Sequence, residues 1–212
     1  MDSHLSKTSS NKGSRSSPGI SLAEEYHLLH RVAQVLQTHQ DTDAMLQEVM
    51  RVITRFEELR VESKAGVFLA DPKRRVLSLF ATFGQFSAEF LEREKEVPYG
   101  DCLCGRAAES GQLLTSESCF TDARHERRFQ DMTPHGHYIL PLKTRNRLVG
   151  VMFLYTATHP TWYLHKQEVL LSIGGLIADA IDRNLREDEL RGYRNHLEDL
   201  VQDRTVDLTR IR

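Results

Sequence analysis

The segment PHGHYILPLKTRNRLVGVMFLY, residues 134–155, decides how the chain is read. Pro134 breaks the preceding segment, and His135 to Leu142 then reads as a strand. Arg145-Asn146-Arg147 turns the chain into Leu148 to Tyr155, the most apolar strand of the sequence. So apolar a run predicts burial on both faces and a central place in a sheet. Alternate side chains of a strand share a face, so His135 and His137 are expected to point one way, Gly136 and Tyr138 the other.

Outward from that pair, more strands and helices appear. Ala65 to Ala70 and Val76 to Phe83 flank the turn Asp71-Pro72-Lys73 and predict a hairpin, and Leu113 to Thr115 predicts a short strand. Ser87 to Glu94 predicts a short amphipathic helix carrying Phe90 and Leu91. Cys104 to Ser110 is helical in character and stopped by Gly111, and Asp122 is expected to cap a short helix through His125 and Phe129.

Ser21 and Glu24 have capping-box spacing, and Leu28, Leu29, Val32, Val35 and Leu36 form one helical stripe ending near Thr38. A second helix starts at Asp41 to Asp43, with Met45, Leu46, Val49, Met50, Ile53 and Phe56 as its core face. The last helix begins near His165, is expected to bury Val169, Leu170, Ile173, Leu176, Ile177, Ala180 and Ile181, and meets no stop signal. Leu190, Tyr193, Leu197 and Leu200 continue it with the 3, 4, 3 spacing of a coiled-coil seam. Leu208 and Ile211 extend the seam on a shifted phase through a stutter at Arg204. Residues 1–19, rich in Ser, Lys and Gly with little apolar surface to bury, predict a disordered tail. The organisation expected is therefore tail 1–19, folded domain 20–185 and coiled coil 186–212.

All three cysteines, Cys102, Cys104 and Cys119, lie between residues 102 and 137 with three of the ten histidines, His125, His135 and His137. Thiolate and imidazole are the donors that hold zinc, copper, iron and iron–sulfur clusters, so their grouping predicts a metal site. Cys102 and Cys104 fall at a helix N-terminus, where unpaired amides and partial positive charge are expected to lower a thiol's pKa. Arg106, Arg124 and Glu126 are the nearby charges available as supporting partners.

With a net charge of −2 over 212 residues, no broad attraction to nucleic acid or membrane is expected. No apolar run approaches the ~20 residues needed to cross a bilayer, and the odd cysteine count argues against a disulfide scaffold. The expectation is a cytoplasmic protein that binds neither nucleic acid nor membrane.

In order and spacing, Gly105-Arg106-Ala107-Ala108-Glu109-Ser110-Gly111, Asp122-Ala123-Arg124, Leu140-Pro141-Leu142 and Leu148-Val149-Gly150-Val151-Met152 resemble a GAF domain, the sensory module of many bacterial signalling proteins. The resemblance covers about residues 27–185. It implies an α/β (α+β) fold, an antiparallel sheet flanked by helices, with a ligand pocket lined by the segments from Cys102 to His137. Tyr193 to Thr205 resembles the signalling helix that joins such sensors to a histidine kinase or diguanylate cyclase. It implies a homodimer through the N- and C-terminal helices and an output domain outside these residues. The Asn-Lys-Phe-Asp-Glu pattern of cyclic-nucleotide GAF domains and the Pro-Cys-His chromophore motif of phytochromes are absent, so neither ligand carries over.

The cofactor is therefore argued from donor chemistry. Six donors exceed the four of a zinc site. An iron–sulfur cluster or non-haem iron suits a sensor of redox poise, gas or metal, because iron changes state where zinc cannot. Zinc as a structural staple is the alternative, and haem, with one histidine as axial ligand, ranks behind it. The rival readings are a thiol-based redox enzyme using Cys104 or Cys119, a GAF domain that binds an organic small molecule, and a dimerisation module with an empty pocket. The reading carried forward is a sensor without catalytic activity of its own.

Overall fold

A computed structural model describes residues 20–38, 41–130, 132–145 and 147–210, with backbone alone over 202–210. The expected tail 1–19, the turn residue Asn146 and the seam residue Ile211 lie outside the described residues, as do the side chains of Arg204 and Leu208.

Two helices come first, α1 (Leu22–Thr38) and α2 (Thr42–Thr54). The capping box at Ser21 closes both ways: the Ser21 amide donates to Glu24 Oε2 (2.7 Å) and the Glu24 amide to Ser21 Oγ (3.3 Å). Asp41 caps α2 by accepting from the Ala44 amide at 2.7 Å. Strands β1 (Val61–Asp71) and β2 (Val76–Phe83) form the expected hairpin. After them come α3 (Ala88–Arg93), β3 (Glu96–Pro98), α4 (Cys102–Ser110), β4 (Leu114–Ser116), β5 (Gly136–Lys143), β6 (Leu148–Thr156) and α5 (Leu164–Arg210).

The six strands make one antiparallel sheet in the order β3-β2-β1-β6-β5-β4, which puts β6 at the centre. One face carries α1, α2 and α5 over an aliphatic core that includes Val67, Leu140, Met152, Leu154, Ile173 and Ile177. The opposite face carries α4 over Phe68, Leu103, Ile139, Val151 and Phe153. The split follows the strand period: Leu140 and Leu142 go one way, Ile139 and His137 the other.

α5 runs unbroken across the 185/186 boundary as one 47-residue helix. Its first half buries Val169, Leu170, Ile173, Ile177, Ala180 and Ile181 but leaves Leu176, expected in the buried face, on its outer side, and Leu190, Tyr193, Leu197, Leu200 and Val201 are exposed. No helix among the described residues is long and apolar enough to cross a membrane.

The helix expected from Asp122 through Phe129 is absent, and residues 117–130 form turns and irregular backbone. The carboxylate meant to cap that helix instead accepts from the Arg124 amide (2.9 Å) and the Arg124 guanidinium (2.7 Å), a closed turn that stops helical propagation. Arg124 also donates to the Thr115 carbonyl at 2.7 Å and so ties this loop to β4.

Candidate metal centre

Three imidazoles meet over the α4 side of the sheet. His135 and His137 come from β5 and the residue before it. His125 comes from the loop after β4, placed by the turn in which its amide donates to the Asp122 carbonyl at 3.0 Å. Gly136, between the two strand histidines, is required there: a Cβ would sit 2.6 Å from Thr156 Oγ1 and 2.8 Å from the Ser116 carbonyl. That close approach lets β5 lie against β4 and β6 with both rings turned inward.

His137 Nε2 lies 3.0 Å from His135 Nε2 and 3.1 Å from His125 Nε2, and one ligand atom from each ring lies within 4.8 Å of the others. All three residues are buried. Tyr155 stacks flat on His135 (centroids 4.0 Å apart, 10° between planes) and meets His137 edge-on, which fixes both rings. Burial pushes all three imidazoles toward the neutral form, His125 down to about 4 and His137 well below its ordinary value, and for His125 and His137 the neighbouring imidazoles add to the effect.

Proton counting shows what this geometry lacks without a cation. The Nδ1–H of His135 donates to the Thr133 carbonyl at 2.6 Å, so its neutral ring presents a bare lone pair at Nε2. His137 Nε2 has one in-plane position, a proton or a lone pair, yet it faces two nitrogens. If it donates to one neighbour, the other contact goes unmade; if it accepts from His125, two lone pairs confront each other across the 3.0 Å to His135. A single cation bound to three lone pairs removes the conflict. Three nitrogens each about 2.0–2.1 Å from one ion lie about 3–3.4 Å apart, the spacing of the two contacts to His137.

The six donors expected in one site separate. The group that converges holds His125, His135 and His137, and no cysteine joins it among the described residues. Cys102 and Cys104, on the first turn of α4, line a cavity of about 40 Å³ that also touches His125 and His137. Cys119 is buried with its Sγ 3.6 Å from the Thr133 carbonyl, and its amide donates to the His135 carbonyl at 2.8 Å. All three thiols are free.

The expected low thiol pKa is overturned as well. Burial pushes the Cys102 thiol up and the Cys104 thiol well up, because both lose water at the helix start and Glu94 lies near each. The free amide of Cys102, which was to favour thiolate, is instead taken by Glu126 Oε2 at 2.9 Å, while Glu126 Oε1 pairs with Arg106 at 2.7 Å. Cys102 also holds a left-handed φ of 49°. Gly105 lets α4 seat there, since a Cβ would come within 2.1 Å of the Pro98 carbonyl.

Glu94, Arg127 and Tyr155 also line the cavity, and no spacing in the sequence pointed to them. Arg127 donates to Asp101 Oδ2 at 2.6 Å and to the Arg93 carbonyl at 2.6 Å and stands 3.5 Å from Glu94. It therefore clamps the His125 loop to α3 and α4. Burial raises the pKa of Glu94 despite this partner.

Comparison with known proteins gives the following. A family model described as a GAF domain matches residues 39–182. No curated protein sequence gives a significant match. Among solved structures, the GAF domain of a phosphoenolpyruvate-protein phosphotransferase from Coxiella burnetii is 14% identical with a TM-score of 0.68, covering 79% of this chain and 98% of its own. The corresponding domain from Acinetobacter is 13% identical with a TM-score of 0.62, covering 77% and 95%. The free methionine-R-sulfoxide reductase of Neisseria meningitidis, solved with its substrate, is 15% identical with a TM-score of 0.62, covering 79% and 95%. At these identities the likeness is one of fold.

Proposed function

The chain belongs to the GAF domain family, and from that premise we propose that it is a sensory module holding one metal ion, non-haem iron, on His125, His135 and His137. The observation that carries this reading is the lone-pair conflict at His137 Nε2, which a cation bound to three neutral imidazoles resolves. Imidazole is a borderline donor that suits iron, zinc, copper or nickel. Iron is preferred because its bound state changes with redox poise or an added ligand, and a sensor needs such a change. The iron–sulfur form requires thiolates, and the converging donors are all imidazoles. Haem would need one histidine facing an open slot, and here the three rings face one another with Tyr155 stacked on His135.

When bound, iron supplies a change of charge or coordination, and the chain's own residues carry that change outward. β5 holds His137 on one face and Tyr138 on the other. The Tyr138 hydroxyl donates to the Thr161 carbonyl at 3.2 Å, and Lys166 Nζ, in the first turn of α5, donates to that same carbonyl at 2.9 Å and to the Tyr138 oxygen at 3.4 Å. A displacement of β5 at the site therefore tugs the start of α5. The exposed stripe Leu190, Tyr193, Leu197 and Leu200 is the seam through which two chains would pair and deliver the movement to an output domain such as a histidine kinase or diguanylate cyclase.

A thiol-enzyme reading, which the reductase neighbours raise, needs a thiolate, and burial moves Cys102 and Cys104 away from that form. Metal analysis of protein purified without oxygen separates the two. The metal reading expects about one ion per chain, lost in His137→Asn; metal-free protein with a thiol that alkylates rapidly at neutral pH would overturn it.

A further inference from the structure

Resting on the metal reading above, we infer that Ser116, with Asp122 behind it, is the positioning residue of the site: its hydroxyl takes the Nδ1–H of His137 and so turns the Nε2 lone pair of that ring onto the ion. The register puts the two side by side. Across β4 and β5, Ser116 pairs with His137 and Leu114 with Ile139, and since Leu114 and Ile139 pack in the aromatic core under α4, Ser116 points to that face too. Directly paired side chains have Cβ atoms about 4.5–5.5 Å apart, within reach of a hydrogen bond between short polar groups. The opposite flank of His137 is closed by Tyr155, its partner on β6, whose ring meets it edge-on.

Each of the two lacks what the other offers. Ser116 is 1% exposed and its Oγ is buried without a hydrogen-bond partner, and so is His137 Nδ1. Buried polar atoms are nearly always paired, so two orphans on paired residues call for a common explanation. A hydroxyl both donates and accepts, and Ser116 therefore suits either tautomer of His137. It donates to a bare Nδ1 while the ring proton sits at Nε2 toward the other imidazoles, and it accepts from Nδ1–H once the ion takes Nε2. The ring keeps one proton throughout, and only its position differs.

Asp122 gives the hydroxyl proton a place to go. Hydrogen bonds from Arg124 hold its carboxyl well below the usual carboxylate range, with the Ser116 hydroxyl adding to the effect, so it stays charged as an acceptor. Burial and the other imidazoles favour neutral His137, and the Asp122 charge acts the other way. With its proton turned to Asp122, Ser116 presents lone pairs to His137. A ligating histidine whose far N–H is taken up by such a partner is oriented and made a stronger donor.

The test compares wild type, Ser116→Ala and Leu114→Ala, the last removing a neighbour on the same strand face without touching a polar group. Ferrous-iron affinity is measured anaerobically by competition with a chelator. The His137 ring is followed by proton–nitrogen correlation NMR on protein loaded with zinc, a diamagnetic stand-in. In wild type the Nδ1 proton of His137 should be visible and protected from solvent exchange. Ser116→Ala should keep one ion per folded chain, bind it about 10–100-fold more weakly and lose that protection, whereas Leu114→Ala should change neither. Ser116→Ala that binds iron as tightly as wild type, or more weakly with the His137 Nδ1 proton unchanged, overturns the role of Ser116 and leaves the metal reading standing. Weakening of the same size in Leu114→Ala overturns it as well, since loosened packing would then suffice. Wild-type protein that holds no ion overturns both.

Discussion

The two faces of the sheet are built from different side chains. Beneath α1, α2 and α5 the apolar core is almost all aliphatic, Leu28, Val32, Met45, Leu46, Leu140, Met152 and Ile173 among them, and the polar groups buried there, Lys166 and Asn184, have hydrogen-bond partners. Beneath α3 and α4 the core is smaller and aromatic, and it runs directly into three buried imidazoles, two buried or half-buried thiols and a buried carboxyl. Burying polar groups that lack full partners costs stability, and the second face does so repeatedly: His125 Nδ1 and His137 Nδ1 are buried without a hydrogen-bond partner. The first face holds the fold, and its burial offsets what the second loses by leaving those ring nitrogens unpaired.

The comparison breaks most visibly at Leu140, which is fully buried on the helix side of β5. Leu140→Ala is expected to cost about 2–5 kcal/mol in chemical denaturation, with metal per folded chain unchanged. Three residues away on the same strand but on the other face, His137→Asn should do the reverse. Metal affinity by calorimetry should fall roughly 100-fold or more, beyond the loss typical of an outer-shell partner, while the metal-free protein melts at or above the wild-type temperature because the confronted lone pairs are gone.

Acid sharpens the same contrast. Folded His125 titrates at about 4 against an ordinary 6.5, so below 6.5 the unfolded chain binds more protons than the folded one. Stability from the neutral site is complete above about 6.5 and lost as pH falls toward 4, with His135 and His137 shifting in the same direction. Denaturation midpoints measured across that window should drop in the wild type and drop less in His125→Gln; equal slopes would place the acid sensitivity elsewhere. The smallest effect is expected at Glu126, whose half-exposed carboxylate meets Arg106 and the Cys102 amide. Glu126→Gln should cost less than about 1 kcal/mol and leave metal stoichiometry intact.

Much of the fold was legible in residue order. The apolar run at Leu148–Tyr155 does become a central strand, the Asp71-Pro72 turn does close a hairpin, the capping box at Ser21 does form, and helices do begin at Asp41 and Ser87. Each depends on interactions within a few residues. The site was legible only in part. The His135–His137 pairing followed from the strand period, whereas the company they keep did not: His125 joined them and the cysteines stayed apart, because a loop without periodicity chose the partners. The helix expected at Asp122 failed for a related reason, since Arg124 offered its carboxylate a competing partner two residues away.

By itself the order of residues determined the elements, their alternation and the identity of the family, since backbone period and capping are short-range physics. Which donors face one another was decided only when β4, β5 and the loop closed over α4. At that point burial overrode the helix N-terminus at Cys102 and Cys104, and the close approach permitted at Gly136 set three nitrogens on one point. Distances between groups far apart in sequence are set by packing, and the pKa of a buried group follows from its surroundings rather than its neighbours in the chain.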